Sequence, residues 1–134
     1  MTSDDLRAIP LLSAVSDAGL ERHAASAGAV TYEAGQVMAL EGDRGSGMFV
    51  ILDGSALVEW RGGSVELAAG TFFGELTLLA PGGTRNARVR AATQVRCLAI
   101  PRGDALALIE SEPTVALVML KEIARRFASA LPDE

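Results

Sequence analysis

The chain has 134 residues, a length suited to one domain, and 49% of them are hydrophobic, so it can build a core without disulfides or a metal. Aromatic residues make up 4% and the net charge is −5, which argues against a stacking platform for single-stranded nucleic acid and against the basic face of a duplex-binding protein. A single cysteine, Cys97, excludes an intramolecular disulfide. With one histidine, His23, we predict neither a metal centre nor a serine–histidine enzyme.

The first five residues are acidic and lack the basic lead and apolar run of a secretory signal. No apolar stretch approaches the ~20 residues needed to cross a bilayer. We therefore expect a cytoplasmic chain without a membrane segment and without a nucleic acid polymer as partner.

The first predicted element is a short helix. Ser16 or Asp17 would cap it, and it would run to about residue 27. Leu20 and Ala24 share its inner face, and Gly28 is a natural stop.

From residue 29 to residue 100 the pattern changes to the period of two that is typical of strands. Short predicted strands at spacings of roughly 8–12 residues favour a sandwich or barrel. They cover residues 30–32, 37–40, 48–52, 56–60, 65–68, 87–92 and 94–100. Between them lie turn pairs whose glycines favour the positive φ of tight hairpins, namely Ala34-Gly35, Gly42-Asp43, Asp53-Gly54 and Gly62-Gly63.

A helical pattern returns after residue 100. Pro101 stands where a first helix would begin, and Ala105, Leu106 and Ile109 share one face of it. Pro113 occupies the favoured first position of a second helix, which Pro132 would end. In the second helix an apolar stripe predicts packing on the barrel, with a dimer face as the alternative; it comprises positions 116, 119, 120, 123, 124 and 127.

The strand pattern is interrupted at residues 70–86, and this interruption carries the candidate site. Gly74 lets the backbone approach a ligand at the amino end of a helical turn predicted for residues 75–79. Free N–H groups and the helix dipole at such an end attract an anion. Arg85, ten residues after Glu75, supplies a fixed charge with a planar fork of donors, and the Ala-Pro-Gly-Gly turn before it can fold it back over that end.

Glu75 would place a carboxylate beside this anion site. A carboxylate next to a phosphate is repelled unless it also accepts hydrogen bonds, for instance from sugar hydroxyls. Amides and an arginine for a phosphate, together with a carboxylate for a hydroxyl, indicate a nucleotide pocket.

Residues 73–79 read FGELTLL, and residues 85–91 read RNARVRA. Together they resemble the phosphate-binding cassette of cyclic-nucleotide-binding domains, and the step from Glu75 to Arg85 is similar to that of catabolite-activator-type proteins. Further stretches also resemble the family, so the resemblance covers about residues 5–128; they are residues 9–12, 41–43, 48–52, 54 and 122–127.

The resemblance implies a fold that is mainly β with flanking helices: a double-stranded β-helix (jelly-roll) β-roll with an N-terminal helix and C-terminal helices. It implies a single cyclic-nucleotide-binding domain over residues 1–134, with cyclic AMP or cyclic GMP as ligand. We expect no cofactor, metal or catalytic activity, because the sequence shows no nucleophile–base pair, metal cluster or acid pair. Arg85 would pair with the cyclic phosphate, Glu75 would hold the ribose 2′-hydroxyl, and amides around Gly74 and Leu76 would complete the cradle. The implied ligand-binding residues are Phe73, Gly74, Glu75, Leu76, Thr77, Arg85, Asn86 and Ala87.

This chain departs from the family pattern in three places. Thr77 replaces a smaller residue, and Asn86 stands where the family usually has Ser, Thr or Ala, which leaves the choice between cyclic AMP and cyclic GMP open. Only seven residues follow Phe127, whereas family members often use a long final helix as a lid over the base. We therefore expect the lid to be missing, short, or supplied by another chain.

The function that follows is a regulatory sensor, not an enzyme. Arg85 would draw in the cassette, Leu78 and Leu79 would repack against the helix at 113–128, and that helix would move an effector whose nature is not visible. The alternative is a degenerate β-roll interaction module without nucleotide binding, acting through protein contacts or as a homodimer. A cupin-type metal enzyme is disfavoured because its histidine ligands are absent.

Several other residues have structural interpretations. Cys97 is expected as a packed core thiol, His23 as structural or exposed, and Trp60 as partial core at a strand end. We predict surface positions for the arginines outside the motif, which are Arg88, Arg90, Arg96, Arg102, Arg125 and Arg126.

Overall fold

The computed structural model of the chain describes residues 2–39, 47–74, 79 and 87–130. Its N-terminal part forms α1 (Ser3–Arg7), a 3-10 helix (Pro10–Leu12) and α2 (Asp17–His23). Ser16 caps α2 as predicted, since its hydroxyl accepts a hydrogen bond of 3.1 Å from the Gly19 N–H. The prediction that Gly28 ends the helix was wrong. The helix stops at His23, and Gly28 opens the first strand, where it pairs with Ala99.

The strands form two antiparallel sheets. The first sheet has the order β1-β8-β3-β6 and the second the order β2-β7-β4-β5. The strands are β1 (Gly28–Tyr32), β2 (Val37–Ala39), β3 (Gly47–Asp53), β4 (Ala56–Trp60), β5 (Gly63–Leu67), β6 (Phe72–Phe73), β7 (Arg88–Ala91) and β8 (Val95–Pro101). Strand β6 was not predicted, because two residues are too few to show an alternation.

Glycines with positive φ stand at the predicted turns. Gly54 (φ 90) lies between β3 and β4, and Gly62 (φ 111) lies between β4 and β5. Glycine adopts such dihedrals readily because it has no Cβ, and they match the tight hairpins that the sequence predicts. Gly35 also has a positive φ of 86, whereas the predicted turn at Gly42-Asp43 lies outside the described residues.

The first sheet is buried on both faces, because alternate side chains of its strands enter two different clusters. Val50 and Leu98 pack against the helices, whereas Ile51 and Cys97 pack against the second sheet. In β6 the same alternation sends Phe72 toward the helices and Phe73 toward the second sheet. Cys97 is 0% exposed, which confirms the prediction of a core thiol.

Two helices follow β8: α3 (Arg102–Ser111) and α4 (Pro113–Ala130). The predicted inner face of α3 is confirmed, since Ala105 is buried and Leu106 and Ile109 pack against the core. Pro113 begins α4 as predicted.

The predicted apolar stripe of α4 contains two faces, and only one of them packs on the body. Met119 is 2% exposed and Ile123 packs against the core. Leu120 and Phe127 remain 62% and 67% exposed, and Ala124 is exposed as well. The predicted stripe was chosen by spacings of three and four residues, and it therefore combined residues of an inner face with residues of an outer face. The prediction that the stripe packs on the barrel was wrong for the outer face.

His23 is 8% exposed, consistent with a structural role, and Trp60 is half-buried as predicted. Within the ranges that the structure describes, no helix combines the length and apolar character needed to span a bilayer.

Candidate functional site

The predicted ligand-binding residues fall only partly within the described structure. Phe73, Gly74 and Ala87 are described. The predictions for Glu75, Leu76, Thr77, Arg85 and Asn86 lie outside the described residues. The convergence of Arg85 on the backbone near Gly74 therefore stays a prediction.

Strand β6 leads directly into the predicted site. Phe73 is 2% exposed, and its ring stacks on Phe49 with the centroids 4.9 Å apart and the ring planes at 7°. The two residues are also cross-strand neighbours in β6 and β3. Gly74 follows with φ 93, a left-handed conformation that a side chain would strain. A packed strand thus ends at a glycine with positive φ, at the residue where the predicted anion site begins.

Ala87 marks the other end of the segment. It is half-buried and stands one residue before β7. Because β6 lies in the first sheet and β7 in the second, the chain between Gly74 and Ala87 connects the two sheets. Val89 and Ala91 are buried, which confirms the alternation predicted for this strand.

Arg88 and Arg90 face outward, as predicted, and both pair with Glu59 of β4. Arg88 Nη2 lies 3.0 Å and Arg90 Nε 3.1 Å from Glu59 Oε1. The hydrogen bond from Arg90 lowers the pKa of Glu59, and the same bond raises the pKa of Arg90. These two guanidiniums are balanced by a carboxylate on their own sheet, so they do not form a free anion site.

Arg126 of α4 was predicted at the surface, and that prediction was wrong. Its side chain is 13% exposed, whereas that of Arg125 is 53% exposed. Arg126 Nη2 donates a hydrogen bond of 2.5 Å to the Phe72 carbonyl, and the guanidinium carbon lies 4.7 Å from the centroid of the Phe72 ring. Arg126 lies three residues after Ile123 and seven after Met119, on the inner face of the helix, but the sequence alone does not show which of the two apolar faces is the inner one.

The described residues contain no group of three or more His, Cys, Asp or Glu side chains placed to hold a metal ion. Burial raises the pKa of the Cys97 thiol to about 12. A thiol in that environment stays protonated at neutral pH and is a poor nucleophile.

Comparison with known proteins decides the family. The family model described as the cyclic nucleotide-binding domain matches residues 29–112, from β1 to the end of α3, including the cassette motif. The chain belongs to the cyclic nucleotide-binding domain family. The resemblance inferred from the motif is thereby confirmed, and so is the β-roll fold of two antiparallel sheets with flanking helices.

Three relatives illustrate the range of proteins to which this domain is similar. A cyclic nucleotide-gated potassium channel of Rhizobium etli is 34% identical over 119 residues, covering 89% of this chain and 33% of the channel. The cAMP-dependent protein kinase regulatory subunit of Schizosaccharomyces pombe is 30% identical over 126 residues, covering 87% of this chain and 30% of the subunit. The crystal structure of the Thermus thermophilus catabolite activator protein has a TM-score of 0.68 at 29% identity, covering 90% of this chain and 59% of that protein. The chain spans about a third of the length of these two curated relatives.

Proposed function

We propose that this domain senses a cyclic nucleotide, cyclic AMP or cyclic GMP, and regulates an effector without catalysing a reaction. The observation that supports this most is the positive φ of Gly74, 93, at the position where the resemblance places the phosphate-binding amides. The family match over residues 29–112 and the two curated relatives, one named for gating by cyclic nucleotides and one for dependence on cAMP, support the same ligand class.

In this proposal the ligand lies between the cassette and the strands of the β-roll. Arg85 pairs with the cyclic phosphate, Glu75 accepts a hydrogen bond from the ribose 2′-hydroxyl, and amides around Gly74 and Leu76 complete the cradle. The anchoring of β7 supports the role of Arg85. The strand begins three residues later along the chain and is paired on both sides, with β2 and with β4.

Ligand binding is proposed to move the C-terminal helices. Leu79 is 47% exposed, so a cassette drawn toward a bound phosphate has apolar surface to bury. Because α4 contacts β6 through Arg126 and Phe72, a change at the cassette also reaches this helix. We propose that the moving helix acts on a partner domain or protein in the cytoplasm.

An interaction module without nucleotide binding is the second candidate, and the outer face of α4 favours it. Leu117, Leu120, Ala124 and Phe127 follow one another at alternating steps of three and four residues, which is the heptad spacing of a coiled-coil seam. We propose that two copies of the chain associate through this face. Sedimentation should show a dimer for the wild type, a monomer for Leu120→Glu and a dimer for the control Lys121→Glu. A monomeric wild type would contradict the proposed dimer.

Calorimetric titration with cyclic AMP and cyclic GMP tests the sensor. We expect saturable binding of at least one nucleotide to the wild type. Truncating one partner of a buried charge pair costs about 2–5 kcal/mol, so Arg85→Ala should weaken binding by roughly 30-fold or more. Arg88→Ala is the matched control, because Arg88 is 48% exposed and paired with Glu59, and it should bind like the wild type.

The 2′-deoxy form of the nucleotide tests Glu75 separately. The wild type should bind the deoxy form more weakly than the parent nucleotide, and Glu75→Ala should bind the two equally. No binding at millimolar nucleotide would refute the sensor and favour the interaction module. Equal affinities of wild type and Arg85→Ala would refute the phosphate role of Arg85.

A further inference from the structure

The contact between α4 and β6 involves the backbone carbonyl of Phe72, which lies on the open edge of the first sheet as described. β6 is an edge strand of the first sheet. The Thr71 carbonyl accepts a hydrogen bond of 2.8 Å from the Ile51 N–H of β3, and successive carbonyls of a strand point to alternate sides. The Phe72 carbonyl therefore points away from β3, toward the open edge, where Arg126 donates to it at 2.5 Å.

Arg126 makes a second contact with Phe72, through the ring. Its guanidinium carbon lies 4.7 Å from the centroid of the Phe72 ring, within the range of a cation–π contact. Phe72 is 1% exposed. One side chain of α4 thus contacts both the backbone carbonyl and the ring of Phe72, in the strand that leads into the cassette.

Glu122 fixes the orientation of this arginine. Its Oε1 lies 3.3 Å from Arg126 Nε, and its side chain is 16% exposed. A hydrogen bond from Arg125, together with the nearby charge of Arg126, lowers the pKa of Glu122, so the carboxylate is ionised at neutral pH. The Glu122 carboxylate pairs with Nε of the guanidinium, and the Phe72 carbonyl accepts a hydrogen bond from its Nη2.

The first turns of α4 pack on the core through their apolar side chains, whereas the last turns contact the β-roll through Arg126. Met119 is 2% exposed and Ile123 packs on the core. Beyond Ile123 the side chains of Arg125, Phe127 and Ser129 are exposed, whereas Arg126 is turned inward. Among the described side chains after Ile123, Arg126 is therefore the one turned toward the β-roll.

We propose that Arg126 is a positioning residue that ties α4 to β6, so that a change in the cassette after Gly74 alters the docking of the end of this helix. The proposal rests on the proposed sensor function, because occupancy of the site is what changes the cassette. Arg126 acts through the strand: it contacts Phe72, the next residue Phe73 packs in the core against Phe49, and Gly74 follows with positive φ.

Amide hydrogen exchange of the 134-residue chain tests the tie without ligand. Hydrogen bonds to charged groups are among the stronger ones, so Arg126→Gln should speed exchange in residues 124–130 and in β6 on the order of tenfold or more. Arg126→Lys keeps the charge and N–H donors but loses the planar fork of the guanidinium, and it should recover part of this protection. Arg125→Gln is the matched control. It also removes a partner of Glu122 but starts from an exposed side chain, and it should leave β6 unchanged. Equal exchange of β6 in Arg126→Gln and Arg125→Gln would overturn the proposal.

The same experiment with saturating cyclic nucleotide tests the coupling. Addition of ligand should change exchange at the end of α4 in the wild type and in Arg125→Gln but not in Arg126→Gln, which should still bind the nucleotide measurably. An unaltered response of α4 in Arg126→Gln would overturn the proposal, and loss of all binding in that variant would assign Arg126 to the ligand instead. If the wild type binds neither nucleotide, the proposed function fails, while the ligand-free comparison still decides whether Arg126 ties α4 to β6.

Discussion

Phe73, the first residue of the cassette motif, stacks on Phe49, and replacing Phe73 with leucine separates packing from ligand contact. The centroids are 4.9 Å apart, and aromatic pairs at such separations contribute about 0.5–1.5 kcal/mol beyond the area that they bury. Leucine keeps most of the apolar volume of a side chain that is 2% exposed. We therefore expect Phe73→Leu to lower the free energy of unfolding by about 1–2 kcal/mol, less than the ~3–5 kcal/mol of a truncation to alanine.

Urea unfolding of Phe49→Leu, Phe73→Leu and the double variant gives the coupling free energy of the two rings, which we expect to be about 0.5–1.5 kcal/mol. Calorimetry on Phe73→Leu should show a smaller loss of nucleotide affinity than Arg85→Ala shows, because the Phe73 ring faces the second sheet. A coupling of zero would refute the stacking argument. A variant of normal stability whose affinity falls as far as that of Arg85→Ala would refute the assignment of the ring to the core.

Other predictions concern the turns, the thiol and the carboxylate of α4. Gly35→Ala and Gly54→Ala both place a side chain at positive φ, which costs about 1–2 kcal/mol. Of these two positions, only Gly54 would place the new Cβ 2.1 Å from a backbone oxygen, that of Gln94. Urea unfolding should therefore show the larger loss of unfolding free energy for Gly54→Ala, and equal losses would contradict the clash. Cys97, with a pKa of about 12 caused by burial, should react with a thiol reagent only after denaturation; rapid labelling of the native protein would contradict its position. The lowered pKa of Glu122, caused first by the hydrogen bond from Arg125, means that its stabilisation is present above the ordinary value of 4.5 and is lost as the pH falls through the lower folded-state value. The difference in unfolding free energy between wild type and Glu122→Gln should accordingly shrink in acid, and a constant difference down to about pH 3 would contradict the ion pair.

Local patterns predicted most of the β-roll. Alternation in β7 placed Val89 and Ala91 inside because a half-buried strand has a side-chain period of two, and the positive φ of Gly54 follows from its turn pair. The pattern failed where tertiary pairing decides the structure. The two residues of β6 form a strand only because β3 lies beside them, and Gly28 joins β8 instead of ending α2.

The site was less predictable from sequence, for a physical reason. A motif reports residues that are close along the chain, so it singled out Gly74, which has a positive φ. Arg126 lies 54 residues from Phe72, and its role depends on which of two apolar faces of α4 meets the body. Both faces look alike in sequence, and only the packing of Met119 and Ile123 turns Arg126 inward.

The convergence of Arg85 and the amides near Gly74 on one cyclic phosphate is tested most directly by a crystal structure of the chain with the nucleotide that binds in calorimetry. We expect guanidinium nitrogens of Arg85 about 3 Å from phosphate oxygens, backbone amides beyond Gly74 directed at the same phosphate, and the Glu75 carboxylate on the ribose 2′-hydroxyl. A nucleotide held by other residues, with the Arg85 guanidinium in solvent, would contradict the sensor mechanism proposed for this domain.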